Sequence, residues 1–564
     1  MSIAWRPSPV LLALAAVALA ARALTAWLFT QPGYMDAAYY FDGAASLARG
    51  QGFREDFVWN YLSPTGDLPQ PGNAQWMPLA SIVMAPFLWL FGPTYRAGQI
   101  PMVVLAALLI PLTYRLSLKL FQRQDWAITS ALLMLASSFY LPYWTATDGF
   151  ALYGLIGAAA LGLMSYTGKR QRLAALGCGM LIGLAHLTRA DGLLLAAPLI
   201  LTRPAQAAHV RRGEAGARVS PRERAGQLRA ASPIPADRPN HRGSEQANRG
   251  MLPSYLALAL AGYALVMFPW LWRNVQVFGA PLVGANAMFM VEYNDLFRFE
   301  QAPAFDAWLA SGWANILGVR LRALTLNVAT LAGALHFVFL PFALIGLRSE
   351  RRAPLVRAGA IYLLALLAVM SLVFSLPGPR GTFLHSLTAI LPLLYALAPV
   401  GLAACVKWVA ARRSSWNARQ AERIFGAAFL ALAGILTAYF SLANLLGSAS
   451  EAGWNQRFIV YQAVEAHLRA ETGDAASPVV CINPPAYYYF NRRPAIMIPT
   501  DDPLALVRAA GRYGARFVVV EADHPAYLNM LYNFEVSDSR FHLLATFSDP
   551  TGAQVQLYQI TPVR

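Results

Sequence analysis

Charge is what this sequence has least of. Its 45 basic and 29 acidic side chains make up only 13% of 564 residues, whereas 57% are apolar and the mean hydropathy is +0.42. A water-soluble chain of this length needs several domains, each with a charged surface, and these charges cannot supply them. A soluble enzyme is excluded, and an integral membrane protein is expected. Lysine is scarcer still: Lys119, Lys169 and Lys407 are the only three, and the remaining basic residues are arginines gathered between apolar runs. The net charge of +16 is therefore not spread over a soluble surface, and no nucleic-acid partner is expected. Three distant cysteines, Cys178, Cys405 and Cys481, exclude a disulfide framework and a cysteine metal site. Also missing are a Gly-rich phosphate loop, a nucleophile elbow and any internal repeat of the kind common in transporters.

What is present is hydrocarbon. Apolar runs long enough to cross ~30 Å of membrane fall at 9–30, 99–119, 126–143, 149–167, 252–272, 324–347, 357–376, 384–406 and 424–446. The apolar stretch 174–202 is interrupted by Thr188-Arg189-Ala190-Asp191-Gly192 and reads as two short helices meeting at one membrane face, which gives eleven spans. The first run continues through Trp27, Leu28 and Phe29, too long for a signal-peptide core of about 7–15 residues, and reads as a retained anchor.

The apolar run 78–92 is taken to lie along the outer leaflet. With that parity the inner segments hold 26 basic and 7 acidic residues, against 9 and 11 in the short outer segments, so inner loops are positive throughout. The fold class expected is mainly α, a polytopic membrane protein with interfacial helices on its outer face and a small C-terminal α/β domain. The membrane part spans 1–446, with a first outer loop at 31–98, a cytoplasmic Arg-rich linker at 203–250 and a further outer loop at 273–323. Within the last, the aromatic and acidic stretch 285–323 reads as an interfacial helix rather than an acceptor groove. Residues 447–564 form the extracytoplasmic domain, with strands expected at 478–482, 495–498, 516–522 and 555–560. The location expected is the cell (plasma or inner) membrane, with membrane lipids as neighbours.

The first outer loop holds Asp36, Asp42, Glu55, Asp56 and Asp67. Asp36 follows the first span almost at once, where partial desolvation on a fixed backbone suits a carboxylate to general-base work. Asp42, six residues on, serves as its comparison. Asp148, in a short outer loop, reads equally as an active-site acid and as an N-cap for the span opening at Gly149. Arg380, in the turn Pro377-Gly378-Pro379-Arg380-Gly381, and Arg189 bear guanidinium groups on the outer side that suit a phosphate. His186, His336 and His385 lie in or near apolar runs, where a satisfied intramembrane hydrogen bond is the usual role. His385 follows the Arg380 turn by about one helical turn.

The order of short motifs carries more than any one of them. Met35-Asp36-Ala37-Ala38-Tyr39-Tyr40-Phe41, then Gly50-Gln51-Gly52-Phe53, then Pro78-Leu79 opening a run that ends in Leu90-Phe91-Gly92, resembles the first outer loop of polytopic GT-C glycosyltransferases, the class of protein O-mannosyltransferases and aminoarabinose transferases. Asp148 resembles that family's second outer acid, and Arg189-Ala190-Asp191-Gly192 its Arg-x-Glu-Gly turn. Pro269-Trp270-Leu271-Trp272-Arg273-Asn274 with Phe278-Gly279 resembles its Pro-Trp-x-x-Arg-Asn segment.

The resemblance implies a glycosyltransferase that moves a sugar from a polyprenyl-phosphate donor to a hydroxyl acceptor (glycan, lipid or protein) at the outer face of the cell envelope, with inversion. It implies Asp36 as catalytic base with Asp148 beside it, Arg380 and Arg189 on the donor phosphate, and Tyr39, Tyr40 and His385 on substrate. Two departures stand out: Ala37 where the family has Glu, and Met77 where it has a His or Lys before the proline. A divalent cation is one use for a pair of outer acids, but no histidine lies beside either in the sequence, and no metal is inferred. The departures keep alternatives open: a transporter or flippase, or an inactive scaffold for envelope assembly.

Overall fold

The computed structural model describes residues 8–62, 66–166, 168–202, 241–375, 382–413, 415–474, 476–535 and 538–561. The helices in chain order are α1 (Pro9–Leu28), α2 (Met35–Ala48), α3 (Leu79–Phe91), α4 (Tyr95–Phe121), α5 (Gln124–Ala136), α6 (Phe150–Met164), α7 (Gln171–Thr188), α8 (Ala190–Thr202) and α9 (His241–Phe278). They continue as α10 (Phe305–Ala310), α11 (Trp313–Ala334), α12 (Phe339–Ser349), α13 (Pro354–Ala368), α14 (Thr382–Ser386), α15 (Leu391–Ala410) and α16 (Ala418–Leu446). The tail adds α17 (Val460–Thr472), α18 (Pro484–Asn491) and α19 (Pro503–Tyr513).

The chain is a mainly helical membrane protein. Among the described residues seven helices are long and apolar enough to cross a membrane, or eight if the bent pair 124–136 and 138–145 is one span, against the eleven expected. The other three expected spans correspond to α6, α7 and α8, of which α6 and α8 are shorter apolar helices. The interruption expected near 189 is present, because Arg189 leaves α7 in an extended conformation at φ −153°. Residues 203–240 of the expected linker lie outside the described residues, and its last ten, 241–250, are helical and open α9.

Two expected spans are broken, and the breaks meet. After α5 both Ser137 (φ 62°) and Ser138 (φ 55°) turn left-handed, and the chain bends by 57°. The expected span at 324–347 breaks likewise at His336 (φ 55°) and Phe337 (φ 60°). Such a break frees backbone groups that hydrocarbon cannot satisfy, so side chains must. Ser138 donates its N–H to His336 Nε2 at 3.1 Å and its hydroxyl to the Gly333 carbonyl at 2.6 Å. Arg22, fully buried in α1, donates from Nη2 to the Met134 carbonyl at 3.2 Å and to Ser137 Oγ at 3.0 Å. His186 similarly pairs with the Tyr263 hydroxyl at 2.7 Å.

The tail builds a six-stranded sheet in the order β2-β5-β4-β6-β8-β7, with β2 (Phe57–Val58), β4 (Val479–Cys481), β5 (Ala495–Met497), β6 (Phe517–Val520), β7 (Phe541–Ser548) and β8 (Gln554–Ile560). The small first-loop strands β1 (Arg54–Glu55) and β3 (Gln70–Pro71) pair separately. The first four strands of the large sheet are parallel and the last two antiparallel. Successive residues of a strand face opposite sides, and both faces are covered here. Val480, Ile496 and Val518 pack with Leu506 and Ala510 of α19, while Val479, Ala495 and Phe517 pack with Val464 and Tyr487 of α17 and α18. That is why the strands read as unbroken apolar runs. The strand β7 alternates largely exposed positions at the sheet edge and was not expected. Nor was β2, which the first loop lends to the sheet by pairing Phe57 with Ala495 and Val58 with Ile496.

Candidate active site

The turn between α1 and α2 is locked before any functional group is placed. Gly33 lies so close to Trp454 that a Cβ there would meet the indole ring at 2.4 Å, so only glycine fits. Trp454 in turn donates Nε1–H to the Gln31 carbonyl at 2.8 Å, and Arg457 donates to the Gly33 carbonyl at 3.2 Å. The segment after α16 thus grips the turn that opens α2. Tyr34 caps α2 in an extended conformation, which places Asp36 in the helix's first turn, where the helix dipole favours a carboxylate. Thr147 donates to the Ala37 carbonyl at 2.7 Å and pins the short segment before α6 onto α2.

The result is a three-residue cluster from three distant parts of the chain. His385, on α14, sets Nε2 at 3.0 Å from Asp148 Oδ2 and 3.5 Å from Asp36 Oδ2. One ligand atom from each of the three lies within 4.8 Å of the others. Phe150 stacks on the imidazole with centroids 4.0 Å apart and an interplanar angle of 21°, fixing the ring. The Tyr34 hydroxyl donates to Asp148 Oδ2 at 2.8 Å, and the Gly149 N–H donates to Oδ1. The helix α6 has Gly149 as its N-cap with no side-chain cap, so the N-capping role considered for Asp148 is not realised. No histidine lies beside either acid in the sequence, but the fold brings His385, 237 positions from Asp148, into contact with it.

The environment drives the two carboxyls apart. Burial, and then repulsion from Asp148, push Asp36 up to about 6 against the pull of His385 and Arg189. For Asp148 burial also acts upward, but His385, with further help from Arg189 and the Gly149 N–H, outweighs it and leaves the group below the usual carboxylate range. One acid is thus held ionised while its neighbour is poised near neutrality, the pattern of an acid–base pair.

The other expected site residues divide. Arg189 is buried beside this cluster, feels both Asp36 and Asp148, and keeps Nε 3.4 Å from Asp191 Oδ1. Asp191 accepts the Ser386 hydroxyl, next to His385. Tyr40, buried on α2, senses the same acids and Arg189. Tyr39 is turned away from the cluster: its hydroxyl donates to Glu55 Oε1 at 2.5 Å, and its ring meets Trp76 edge-on with centroids 4.5 Å apart. Arg380 lies outside the described residues. Asp42 is not a solvated loop acid but a buried one, paired with Arg492 at 2.8 Å.

Asp36 and His385 line a cavity of about 520 Å³ together with Tyr34 and Phe150. The tail contributes to the same lining, through residues such as Asn483 and Thr500. Sequence reasoning missed Tyr34 and this part of the lining; the signal for Tyr34 was its place two residues before Asp36.

No protein-family model and no curated protein matches the chain. Solved structures do. The chain superposes on ArnT from Cupriavidus metallidurans bound to undecaprenyl phosphate with a TM-score of 0.57 and 14% identity, over 97% of each chain. The same figures hold for that protein in the apo state. The archaeal oligosaccharyltransferase AglB from Archaeoglobus fulgidus, in complex with an inhibitory peptide and a dolichol-phosphate, matches with a TM-score of 0.57 and 14% identity, over 98% of this chain and 74% of that one. The chain therefore shares the fold of ArnT and AglB, in line with the resemblance of its motifs to the polytopic GT-C proteins.

Proposed function

We propose that this protein is a glycosyltransferase that moves a sugar from a polyprenyl-phosphate donor to a hydroxyl acceptor, at the outer face of the cell membrane, with inversion. The observation that carries the reading is that Asp36 and His385 line one cavity, with the buried Asp148 in contact with His385 and one ligand atom of each of the three within 4.8 Å of the others. A transporter would place its ionisable groups on broken helices at mid-membrane. The broken helices here carry a hydrogen-bonded histidine and serines, while of the paired acids Asp36 sits in the first turn of α2, lining a cavity shared with the tail, and Asp148 just before α6.

In this mechanism the Asp36 carboxylate takes the acceptor hydroxyl proton as the acceptor oxygen bonds to the anomeric carbon. The bond from that carbon to the phosphate oxygen breaks, and the polyprenyl phosphate leaves with the electron pair. A single in-line displacement inverts the centre. Asp148, kept ionised, orients His385, and Arg189 offers its guanidinium to the leaving phosphate. Arg380 is assigned to the same phosphate on the family resemblance alone, and Tyr40 to the substrate side of α2. The undecaprenyl phosphate bound by ArnT and the dolichol-phosphate bound by AglB support a lipid-linked donor.

Two carboxylates and an imidazole within 4.8 Å also fit a divalent cation of the Mn²⁺ or Zn²⁺ type, for which mixed oxygen and nitrogen sets are suited. Asp36, Asp148 and His385 would hold it, and its charge would strengthen the field at the departing phosphate. The positive-inside bias supports an N-terminus and a 203–250 segment on the cytoplasmic side, with the tail outside.

The test is transfer by purified protein from a radiolabelled polyprenyl-phosphate sugar to an extract of envelope acceptors, alongside Asp36→Asn. Label appearing in acceptor only with the native chain supports the assignment, and donor binding without any transfer from any sugar overturns it. Labelling of cysteines introduced at Asp67 and in the tail decides the sidedness. A membrane-impermeant reagent is expected to reach both in intact cells.

A further inference from the structure

A second cavity, of about 410 Å³, opens where α1 ends, α4 begins and the tail meets both; its lining includes Thr30, Gln31, Thr94, Arg96, Gln462 and Arg492. Among the described residues it shares no lining side chain with the cavity of Asp36. Both α1 and α4 are long and apolar enough to cross a membrane, and the ends of such helices stand where hydrocarbon gives way to lipid headgroups. The tail is fastened there: the Tyr489 hydroxyl donates to Gln31 Oε1 at 2.9 Å, and Asn455 accepts the Thr30 N–H on Oδ1 at 2.8 Å. The cavity is therefore fixed at the level of the headgroups.

The charge of this cavity is of one sign. Among the described residues its charged lining side chains are Arg96 and Arg492, and no carboxylate joins them. Arg96 gives Nη1 to the Ala26 carbonyl and Nη2 to the Trp27 carbonyl, the latter at 2.9 Å, and so satisfies backbone oxygens at the end of α1. Those partners are neutral, and among the described residues no carboxylate pairs with Arg96, so its charge stays uncompensated. Arg492 shares its charge with Asp42 through Nη1 at 2.8 Å, yet 40% of its side chain is exposed. The cavity also takes in the N-terminus of α4 at Thr94, where the first-turn N–H groups and the helix dipole favour an anion. Two guanidiniums in this setting suit a phosphate.

The surfaces that lead into the cavity are apolar and uncovered. Leu24, Trp27 and Leu28 of α1, just before Thr30, are exposed, and so are Trp89, Leu90 and Phe91 of α3, just before Pro93. A phosphate in water gains nothing from such faces, whereas the acyl chains of a lipid bury against them. We infer that this cavity binds the phosphate of an anionic glycerophospholipid, with Arg96 and Arg492 on the headgroup and the acyl chains against the exposed ends of α1 and α3. A phosphate group is the chemistry recognised, and the apolar faces select a lipid as its source. A lipid held there joins the membrane helices to Arg492, the residue that pairs with Asp42 of α2. The inference does not depend on the transferase reading.

In the experiment, full-length protein in a non-ionic detergent is titrated with phosphatidylglycerol, with zwitterionic phosphatidylcholine and with sn-glycerol 3-phosphate, and bound lipid is counted by native mass spectrometry. Phosphatidylglycerol is expected to bind about tenfold tighter than phosphatidylcholine. Gln462, exposed on α17 and lining the cavity, tests the charge without touching either cation. Gln462→Glu is expected to weaken phosphatidylglycerol binding about fivefold and Gln462→Lys to tighten it by about as much, the worth of one charge beside an anionic lipid, with the melting temperature unchanged. Arg96→Gln, which keeps an amide donor for the α1 carbonyls, is expected to weaken it about fivefold as well, and the Gln462 pair decides if that variant does not fold. Equal affinity for phosphatidylcholine, or phosphatidylglycerol affinity unmoved in both Gln462 variants, overturns the inference. So does displacement of the lipid by sn-glycerol 3-phosphate at equal concentration, which identifies a soluble phosphate as the ligand. Loss of phosphatidylglycerol binding in Arg189→Ala at the native melting temperature puts the lipid in the donor site and overturns it too. Transfer failing from every donor while these shifts appear rejects the transferase and leaves this site standing, and transfer without them does the reverse.

Discussion

Asp42 in the middle of α2 and Arg492 at the end of α18 form an ion pair at 2.8 Å across 450 residues of sequence. Burial pushes the Asp42 carboxyl up to about 7, with Arg492 opposing. The pair ties the helix whose first turn carries Asp36 to the sheet whose strand ends line the same cavity. Asp36 is thus positioned by the tail as well as by the membrane helices.

Removing the cation should therefore hurt more than removing the charge it serves. Arg492→Ala strands a buried carboxylate, and leaving such a group unsatisfied costs roughly 1–3 kcal/mol. Asp42→Asn keeps a neutral group in the same place and should cost less. Thermal unfolding in detergent is expected to rank the melting temperatures as native, then Asp42→Asn, then Arg492→Ala. The reverse order would mean that the pair does not clamp α2.

For catalysis the comparison is Asp36→Asn against an acid of the same loop that is exposed, Asp67. General-base assistance is typically worth about 10²–10⁴-fold. Transfer should fall by about that factor in Asp36→Asn, with donor binding kept, and should be unchanged in Asp67→Asn. Tyr34→Phe removes one hydrogen bond to Asp148 and should cost only several-fold. Near-native transfer by Asp36→Asn would remove it as the base.

Most of the membrane architecture was legible because its signal is local: apolar length, a break at Arg189, and strand runs at 479–481, 495–497 and 517–520. Asp36 and Asp148 could be picked out because each sits at a helix end in a recognisable motif. What was hidden is long-range. Nothing near His385 in the sequence says that its ring meets Asp148, and nothing near Asp42 announces Arg492. Tyr39 and Tyr40 look equivalent, yet neighbours on a helix diverge by about 100°, so one faces Glu55 while the other lies near Arg189. The breaks at Ser137 and His336 carry no glycine or proline and persist because buried partners satisfy the freed backbone.

Proton uptake by the cluster should depend on the cation. In metal-depleted protein Asp36 is pushed up to about 6 from an ordinary value near 4. Between those values the folded chain binds a proton that the unfolded chain has lost, so this group's contribution to stability falls as pH rises from 4 to 6. Infrared difference titration is expected to show one carboxyl ionising near pH 6 that is absent in Asp36→Asn. Mn²⁺ should move it downward, since a bound cation favours the ionised form. A titration unmoved by Mn²⁺ would reject the cation site.

Donor recognition provides the last expectation. Arg189 is buried with its Nε left without a hydrogen-bond partner, 3.4 Å from Asp191, so its fork is not saturated by the neighbouring carboxylate. A phosphate would complete it bidentately. Arg189→Ala should weaken binding of polyprenyl phosphate by about 10–100-fold, the worth of a charged hydrogen bond of about 1.5–3 kcal/mol. Arg189→Lys should recover only part of this, since an ammonium lacks the planar fork. Asp191→Asn separates a structural role from a binding one, because it also breaks the ion pair but leaves the cation free for phosphate. If Arg189 only braces the fold, Asp191→Asn and Arg189→Ala will lower the melting temperature together and leave donor affinity alike. If it binds phosphate, Asp191→Asn will hold or tighten the donor while Arg189→Ala loses it.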